Sequence, residues 1–143
     1  MDYEIFLSKI EKTGDLVHKK LSQILSGDME PQLTLPYLKV LSVISKSDIR
    51  TMSDIANEMA VSLSAITAIV DRLVELELVN RVRSKKDRRI VEITINEKGR
   101  EVLLHKEKVI RNILDKCFAS FSQEEMEICI MAMDKIAQNL NQE

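Results

Sequence analysis

A short run of positive charge is the most distinctive chemical feature of this chain. Residues 81–89, RVRSKKDRR, hold six cations and one acid, a net charge of +5 in a protein whose formal net charge is −2. The remainder of the chain therefore carries −7. Cations concentrated in this way favour contact with nucleic-acid phosphates, because neutralising phosphates releases their condensed counterions. The run predicts a phosphate-facing surface, although a single lysine within it can also be only a solvated charge.

Two strand-like segments on either side make this run the loop of a hairpin. Residues 78–83 and 89–95 fit strands. The apolar residues Val91, Ile93 and Ile95 alternate with Ile90, Glu92 and Thr94, as in a half-buried strand. The residues between them, 84–88, are polar and too numerous for a two-residue turn. We expect this loop to project as a mobile wing.

A helix-turn-helix pattern precedes the hairpin. A short strand at 51–52 and a capping Ser53 lead into a predicted helix over 54–59, and Ser62 caps a second helix over 63–76. The second helix has its apolar residues on one face: Leu63, Ile66, Ile69, Val70, Leu73 and Leu76. Two short helices joined by a tight turn are typical of a DNA-binding helix pair.

The opposite face of that second helix suits contact with the major groove. Small side chains let the backbone approach the bases, serine and threonine can hydrogen-bond several base edges, and an alanine methyl can touch thymine. The residues expected to contact DNA are Ser62, Ser64, Ala65, Thr67, Ala68 and Arg72. A surface helix without a partner could show the same residues, but the adjoining cationic hairpin favours DNA.

Further helices are predicted before this pattern. The first covers residues 2–25 and is closed by Gly27 in a left-handed cap. Pro31 falls in the linker that follows. The second helix begins at the N-cap Thr34, with Pro36 in its first turn.

Two long helices are predicted after the hairpin. Asn96 caps one over 97–118, and Ser122 with Glu125 has capping-box spacing for the last. The apolar stripes of the first, fifth and sixth helices exceed what one small chain can cover, so we expect them to pack against a second copy as an isologous dimer. The predicted fold is mainly α with a small β-wing: a winged helix-turn-helix domain flanked by N- and C-terminal dimerisation helices.

Composition argues against several other classes of protein. The sequence lacks a run of about 18 apolar residues, so we expect no membrane span. The N-terminus is acidic and lacks the apolar run of a signal peptide, which favours a cytoplasmic protein. His18 and His105 lack partners at metal-ligand spacing, so no metal is expected. No nucleophile, base and orienting residue can be placed together, so we expect neither an enzyme nor a cofactor.

Three segments resemble the MarR family of bacterial winged-helix regulators. LTLPYLKVL (33–41) is similar to the family's second helix, SAITAIVDRLVELELVNR (64–81) to its recognition helix and first wing strand, and KDRRIVEITINEKGREVL (86–103) to its wing and the start of its fifth helix. They lie within residues 33–103, a stretch that covers about half of the chain. The resemblance implies a transcriptional regulator, more often a repressor than an activator.

The same resemblance implies a domain plan and partners. Residues 1–143 would form a single domain, with a DNA-binding lobe over 33–99 and dimerisation helices over 1–30 and 100–143. The homodimer would bind a pseudo-palindromic operator in double-stranded DNA. A small aromatic or anionic effector would bind a crevice between lobe and helices and shift the separation of the recognition helices. Its lining is assigned to Tyr37, Ile5 and Phe6.

Roles in the wing also follow from the resemblance. Arg89 would enter the minor groove, where narrow geometry concentrates negative potential, and Asp87 would orient it. Asp71 resembles a residue that can pair with the wing arginine in relatives, which would set the angle of the wing. The other cations are assigned to phosphates: Arg81, Arg83, Lys85, Lys86 and Arg88. Two departures from the family are Ala68, where many members have arginine, and the absence within 75–78 of a glycine common before the wing.

Two other functions are compatible with these residues. A winged-helix protein–protein adaptor without a DNA role has no need of a +5 hairpin, and steep salt-dependent DNA affinity would exclude it. A thiol-based redox-sensing regulator would still bind DNA but would respond through its cysteines. Because Cys117 and Cys129 lie on apolar stripes, we expect both to be buried and inert.

Overall fold

The computed structural model describes residues 2–28 and 33–142, and within them it contains six helices and three short strands. The elements are α1 (Tyr3–Asp28), α2 (Leu35–Ser45), β1 (Arg50–Thr51), α3 (Met52–Met59), α4 (Leu63–Glu75), β2 (Val79–Arg83), β3 (Val91–Ile95), α5 (Glu97–Cys117) and α6 (Gln123–Leu140). The chain divides into two compact units, one ending at Val109 and one beginning at Ile110. The predicted class, mainly α with a small β-wing, is confirmed. The predicted linker at Pro31 lies outside the described residues.

The core of the first unit lies between α2, α3, α4 and the sheet. α2 packs against α4 and β3, and α3 packs against α4. The apolar stripe of α4 faces this core, with Ile66, Val70 and Leu73 fully buried. Leu63 was assigned to the same stripe, but its side chain is 51% exposed. It lies at the N-terminal end of α4 beside an open groove, so the stripe effectively begins one turn later.

The three strands form one antiparallel sheet in the order β1-β3-β2. In β3, Ile93 and Ile95 are buried while Glu92 and Thr94 are half-buried, so the predicted alternation is confirmed over 92–95. Val91 is only half-buried, like Glu92. β1 pairs Arg50 with Ile93 and Thr51 with Glu92. This short strand fixes the start of the helix-turn-helix against the base of the wing.

The N-terminus of α3 differs from the prediction. Thr51, not Ser53, is the N-cap: its Oγ1 accepts from the Asp54 amide at 3.1 Å, and Asp54 Oδ2 accepts from the Thr51 amide at 3.0 Å. This reciprocal capping box satisfies two free amides at once. A cap at Ser53 could not use the carboxylate of Asp54 in this way, because Asp54 directly follows Ser53 and a capping box needs a spacing of three residues. Met52 consequently belongs to the helix instead of the strand. The bond from the Thr51 backbone is the main cause of the lowered pKa of Asp54.

The C-terminal end of α1 differs from the prediction, and the N-terminal end of α2 agrees with it only in part. α1 continues through Gly27, which has no positive φ, so the left-handed cap predicted there is wrong. Glycine is tolerated as an ordinary helical residue because the chain keeps helical geometry to Asp28. Thr34 is the N-cap of α2 and Pro36 lies in its first turn, as predicted, but the Thr34 side chain makes no capping hydrogen bond.

The turn between α4 and β2 is held by the first turn of α5. Glu77 has φ 59°, in the left-handed conformation that glycine adopts most readily. Asn96 donates from Nδ2 to the Glu77 carbonyl at 2.6 Å and accepts at Oδ1 from the Gly99 amide at 3.0 Å. Lys98 Nζ donates to the Leu76 carbonyl at 2.9 Å. The predicted cap Asn96 therefore also connects α5 to the base of the wing.

The second unit contains the end of α5 and all of α6. The predicted capping box at α6 is confirmed, with Ser122 Oγ accepting from the Glu125 amide at 3.2 Å and Glu125 Oε2 accepting from the Ser122 amide at 2.8 Å. α6 buries none of its residues in the single chain. The prediction of buried cysteines is wrong for this chain alone, because Cys117 is exposed and Cys129 is partly exposed. The described residues leave the face that carries Cys117 uncovered and cover the face that carries Cys129 only in part.

Among residues 2–28 and 33–142, no helix is long and apolar enough to cross a membrane. The same residues contain no group of three or more His, Cys, Asp or Glu side chains arranged to hold a metal ion.

Candidate nucleic-acid interface

The outer face of α4 has two halves with different chemistry. Ser64 and Ala68 lie on the side opposite the buried residues in the N-terminal half, and Asp71 and Glu75 continue the same ridge toward the C-terminus. All four are exposed. The turn before the helix is tight, with Ala60 in the left-handed conformation at φ 53°. The small polar surface expected to approach bases is therefore confined to the first two turns of α4.

Some of the hydroxyl groups predicted to contact bases already form hydrogen bonds with the backbone of α4. Ser62 Oγ accepts from the Ala65 amide at 3.3 Å and lies 3.1 Å from Ser64 Oγ. Thr67 is half-buried, and its Oγ1 donates to the Leu63 carbonyl at 2.8 Å. Thr67 can therefore offer a base only an acceptor lone pair and a methyl group.

Hydrogen bonds close the wing loop into a defined turn. The Ser84 amide donates to the Ile90 carbonyl at 2.9 Å, and the Ile90 amide donates to the Asp87 carbonyl at 2.9 Å. Asp87 Oδ1 accepts from the Arg89 amide at 2.9 Å, and Ser84 is buried. The resemblance gave Asp87 the role of orienting Arg89. The structure assigns its carboxylate to the backbone of Arg89, so it shapes the loop that carries the guanidinium.

Five cations of the wing are exposed and have no ion-pair partner among the described residues: Arg83, Lys85, Lys86, Arg88 and Arg89. Their fields are therefore not cancelled by neighbouring carboxylates, and they remain available to an external anion. An open groove of about 390 Å³ separates the base of the wing from the starts of α3 and α4. It is lined by Thr51, Met52, Ser53, Leu63, Arg89, Ile90 and Val91.

The sixth cation of the wing is already paired. Arg81 Nη2 lies 2.6 Å from Asp71 Oδ1 on α4. One expectation is corrected here, because Asp71 pairs with Arg81 and not with Arg89. The physical reason is strand alternation. Arg81 shares the face of β2 that carries buried Val79, and this face is directed toward α4. The assignment of Arg81 to a DNA phosphate stays a prediction.

Arg72, also predicted to contact DNA, pairs with Glu75 on its own helix. Its Nη1 lies 3.0 Å from Glu75 Oε2, and both side chains are more than half exposed. Such i,i+3 surface pairs contribute little and are easily exchanged for another partner. Arg72 can therefore still bind DNA, provided that its ion pair with Glu75 first breaks.

Comparison with known proteins shows which family this chain belongs to. The MarR family profile matches residues 33–91. The chain is 31% identical over 135 residues to the uncharacterised HTH-type transcriptional regulator YpoP of Bacillus subtilis, covering 94% of this chain and 91% of YpoP. The chain belongs to the MarR family. Membership confirms the predicted transcriptional regulator and agrees with the prediction that the protein is not an enzyme.

Two further comparisons agree with this membership. The HTH-type transcriptional repressor MdtR of Bacillus subtilis is 28% identical over 92% of this chain and 86% of its own length. The structure of FabT from Streptococcus pneumoniae, solved in complex with DNA, matches with a TM-score of 0.87 over 99% of both chains at 23% identity. At that identity the match supports the fold of this MarR-family chain, including its wing.

The residues assigned to an effector crevice of this MarR-family protein lie on two helices of the first unit. Ile5 and Phe6 on α1 are each 56% exposed, and Tyr37 on α2 is half-buried. Consecutive residues on a helix diverge by about 100°, so Ile5 and Phe6 cannot both face one crevice on a single side of α1. Phe6 shares a face of α1 with the exposed apolar residues Ile10 and Val17, whereas Ile5 does not. Their role in binding an effector stays a prediction.

A polar contact between α2 and α5 was not indicated by the sequence. Lys106 Nζ donates to Ser42 Oγ at 2.9 Å, and Ser42 Oγ donates to the Leu38 carbonyl at 2.9 Å. Burial lowers the pKa of the Lys106 ammonium, and the negative charge of Glu107 partly opposes this effect. Among the described residues, no carboxylate lies within ion-pair distance of Lys106. A partly buried cation with only a hydroxyl partner reduces stability.

Lys106→Met should therefore stabilise the protein by up to about 1 kcal/mol at neutral pH, since it keeps the apolar stem and removes the charge. The penalty is fully present below the lowered folded-state pKa and is lost as the pH rises from that pKa to the higher pKa of lysine in the unfolded chain, so the gain should shrink in alkaline solution. Urea unfolding at several pH values measures this. Lys108→Met, an exposed lysine on the same helix, is the matched control. An equal change for both variants would contradict the interpretation.

Proposed function

We propose that this regulator is a homodimer that represses transcription by binding a pseudo-palindromic operator in double-stranded DNA. The observation that carries the proposal is the surface formed by the first half of α4 and the wing. It combines small polar side chains on a helix with five exposed cations in the adjoining loop and strand that have no ion-pair partner in the described part of the chain. This combination suits base readout beside phosphate neutralisation. The similarity to the repressor MdtR supports repression.

The apolar faces that the chain leaves exposed support a dimer. Exposed apolar residues on α1 include Tyr3, Phe6, Ile10 and Val17, and those on α6 include Ile130, Met133, Ile136 and Leu140. Soluble monomers rarely expose so much apolar surface. We assign residues 1–30 and 100–143 to dimerisation and residues 33–99 to the DNA-binding lobe of one MarR-type domain. A second copy would then cover both helices and place two recognition helices on one side of the dimer.

Within the interface, each half of the surface has its own task. Ser64, Ala65 and Ala68 approach base edges in the major groove, with Thr67 contributing an acceptor. The loop cations neutralise phosphates, and Arg89 enters the minor groove. Ser62 and Asp87 act indirectly, because their side chains are committed to the backbone of α4 and of the wing loop.

The proposal extends to regulation and location. A small aromatic or anionic effector binds the first unit near Tyr37, where Ile5 or Phe6 of α1 contributes to the lining, and it changes the separation of the two DNA-binding lobes. The regulator acts in the cytoplasm, where the DNA is.

Two measurements on the purified protein test this function. Light scattering at micromolar concentration should give twice the chain mass of 16.4 kDa. Fluorescence polarisation with a random duplex should show affinity that falls steeply with salt, with a logarithmic slope of about 0.9 for each phosphate neutralised. A mass of 16.4 kDa would contradict the dimer. Absence of DNA affinity even at low salt would favour a protein–protein adaptor.

A further inference from the structure

The pair between Asp71 and Arg81 lies within the surface assigned to DNA. Asp71 is on the outer ridge of α4, one turn beyond Ala68, and Arg81 is the first cation of the wing. The two charged atoms are 2.6 Å apart, while the side chains remain 49% and 34% exposed. A contact this short neutralises the guanidinium locally, and its exposure allows exchange for another anion.

Arg83 provides an internal comparison. It lies two residues further along β2, so it shares the face of the strand that carries Arg81. Within the described part of the chain it has no carboxylate at ion-pair distance, and it is exposed. The two arginines thus share a strand, a face and a charge, and they differ in whether a carboxylate already occupies the guanidinium.

We propose that Asp71 competes with DNA phosphate for Arg81 and so reduces non-specific DNA affinity. This inference rests on the proposed DNA-binding function. An arginine held by a carboxylate displaces no counterion from DNA unless the ion pair first breaks. Non-specific binding is essentially electrostatic, so a masked cation weakens it directly. Operator binding also includes base contacts from α4, which do not need Arg81.

The same pair joins the recognition helix to the wing strand. Asp71 belongs to α4 and Arg81 to β2, so while the pair is intact it links the recognition helix to the first strand of the wing. Operator binding benefits from this preorganisation, whereas a loosely held non-specific complex does not. Asp71 should therefore raise the ratio of operator affinity to random-DNA affinity in two ways.

The test compares salt slopes of random-duplex binding for the intact protein and five variants. Arg83→Gln should lower the slope by about 0.9, as loss of one phosphate contact does, while Arg81→Gln should leave it nearly unchanged. Asp71→Asn should raise the slope by about 0.9 and tighten random-DNA binding roughly fivefold near 0.15 M salt. Both effects of Asp71→Asn should vanish when it is combined with Arg81→Gln. Asp71→Ser is a second variant that should reproduce Asp71→Asn, and far-UV circular dichroism verifies each fold.

Each alternative result is distinct. If Arg81→Gln lowers the slope as much as Arg83→Gln, Arg81 is an ordinary phosphate contact and the inference is wrong. If Asp71→Asn tightens binding equally with and without Arg81, the carboxylate merely repels DNA, and the inference is again wrong. If the intact protein binds no DNA, the proposed function fails and the inference fails with it.

Discussion

Gly99→Ala should destabilise the protein by about 3 kcal/mol, because this glycine allows the start of α5 to touch the turn below the wing. A methyl group at Gly99 would collide with the Leu78 carbonyl oxygen and lie 2.8 Å from Ile95 Cγ1. The carbonyl belongs to the backbone and accepts a bond from the Asn96 amide, so it cannot move aside like a flexible side chain. Chemical unfolding of the variant and of the unchanged protein measures the difference.

Gly27→Ala is the matched control for this substitution. Gly27 is also helical, and among the residues that the structure describes a methyl group there would have no neighbour within 4 Å. Alanine at a helical position without strain is neutral or stabilising by up to about 1 kcal/mol. If Gly99→Ala were as well tolerated as Gly27→Ala, the close approach of α5 to the α4–β2 turn would be wrong.

Arg89→Ala should weaken operator binding by about 1–3 kcal/mol, the largest effect expected from one side chain of the wing. The structure places Arg89 at the end of the wing loop with its amide bound by Asp87, so the guanidinium is presented from a fixed backbone. A charge-assisted contact in a narrow minor groove benefits from concentrated negative potential. Polarisation titrations with operator and random duplexes at several salt concentrations measure the loss.

Two other variants separate the tasks of wing and helix. Lys85→Ala should cost less than Arg89→Ala, weaken all sequences alike and lower the salt slope by about 0.9. Thr67→Val should alter the preferred sequence and leave the slope nearly intact, because it removes a base-facing acceptor and no charge. None of the three positions is in the buried core, so all variants should stay folded. Operator affinity unchanged by Arg89→Ala would show that the wing assignment is wrong.

Periodicity predicted the elements well because they depend on local chemistry. The buried stripe of α4, the alternation in β3 and the caps at Ser62, Asn96 and Ser122 all follow from residues within a few positions of one another. Thr51 and Ser53 are both residue types that favour the N-cap. Thr51 is the N-cap of α3 because Asp54 then lies at the third helical position, where its carboxylate can accept from the Thr51 amide. The signal in the sequence is the spacing of a capping box, with Asp54 three residues after Thr51.

Contacts between elements were harder to predict. The pairing of Asp71 with Arg81 depends on which face of β2 is turned toward α4, and the alternation from Val79 was the available signal. The contact between Lys106 and Ser42 joins positions 64 residues apart, and neither position belongs to a pattern. The exposure of Cys117 could not be predicted from its helix stripe, because a stripe does not show whether its cover is the same chain or another copy.

The central claim, a dimer that reads DNA through α4 and the wing, is tested most directly by selecting bound duplexes from a random pool with the intact protein. Sequencing the bound fraction should give a consensus with dyad symmetry and half-sites about 10 base pairs apart, one helical turn, because each protomer presents the same surface on one side of the dimer. A consensus without dyad symmetry, or no enrichment over the starting pool, would contradict the account.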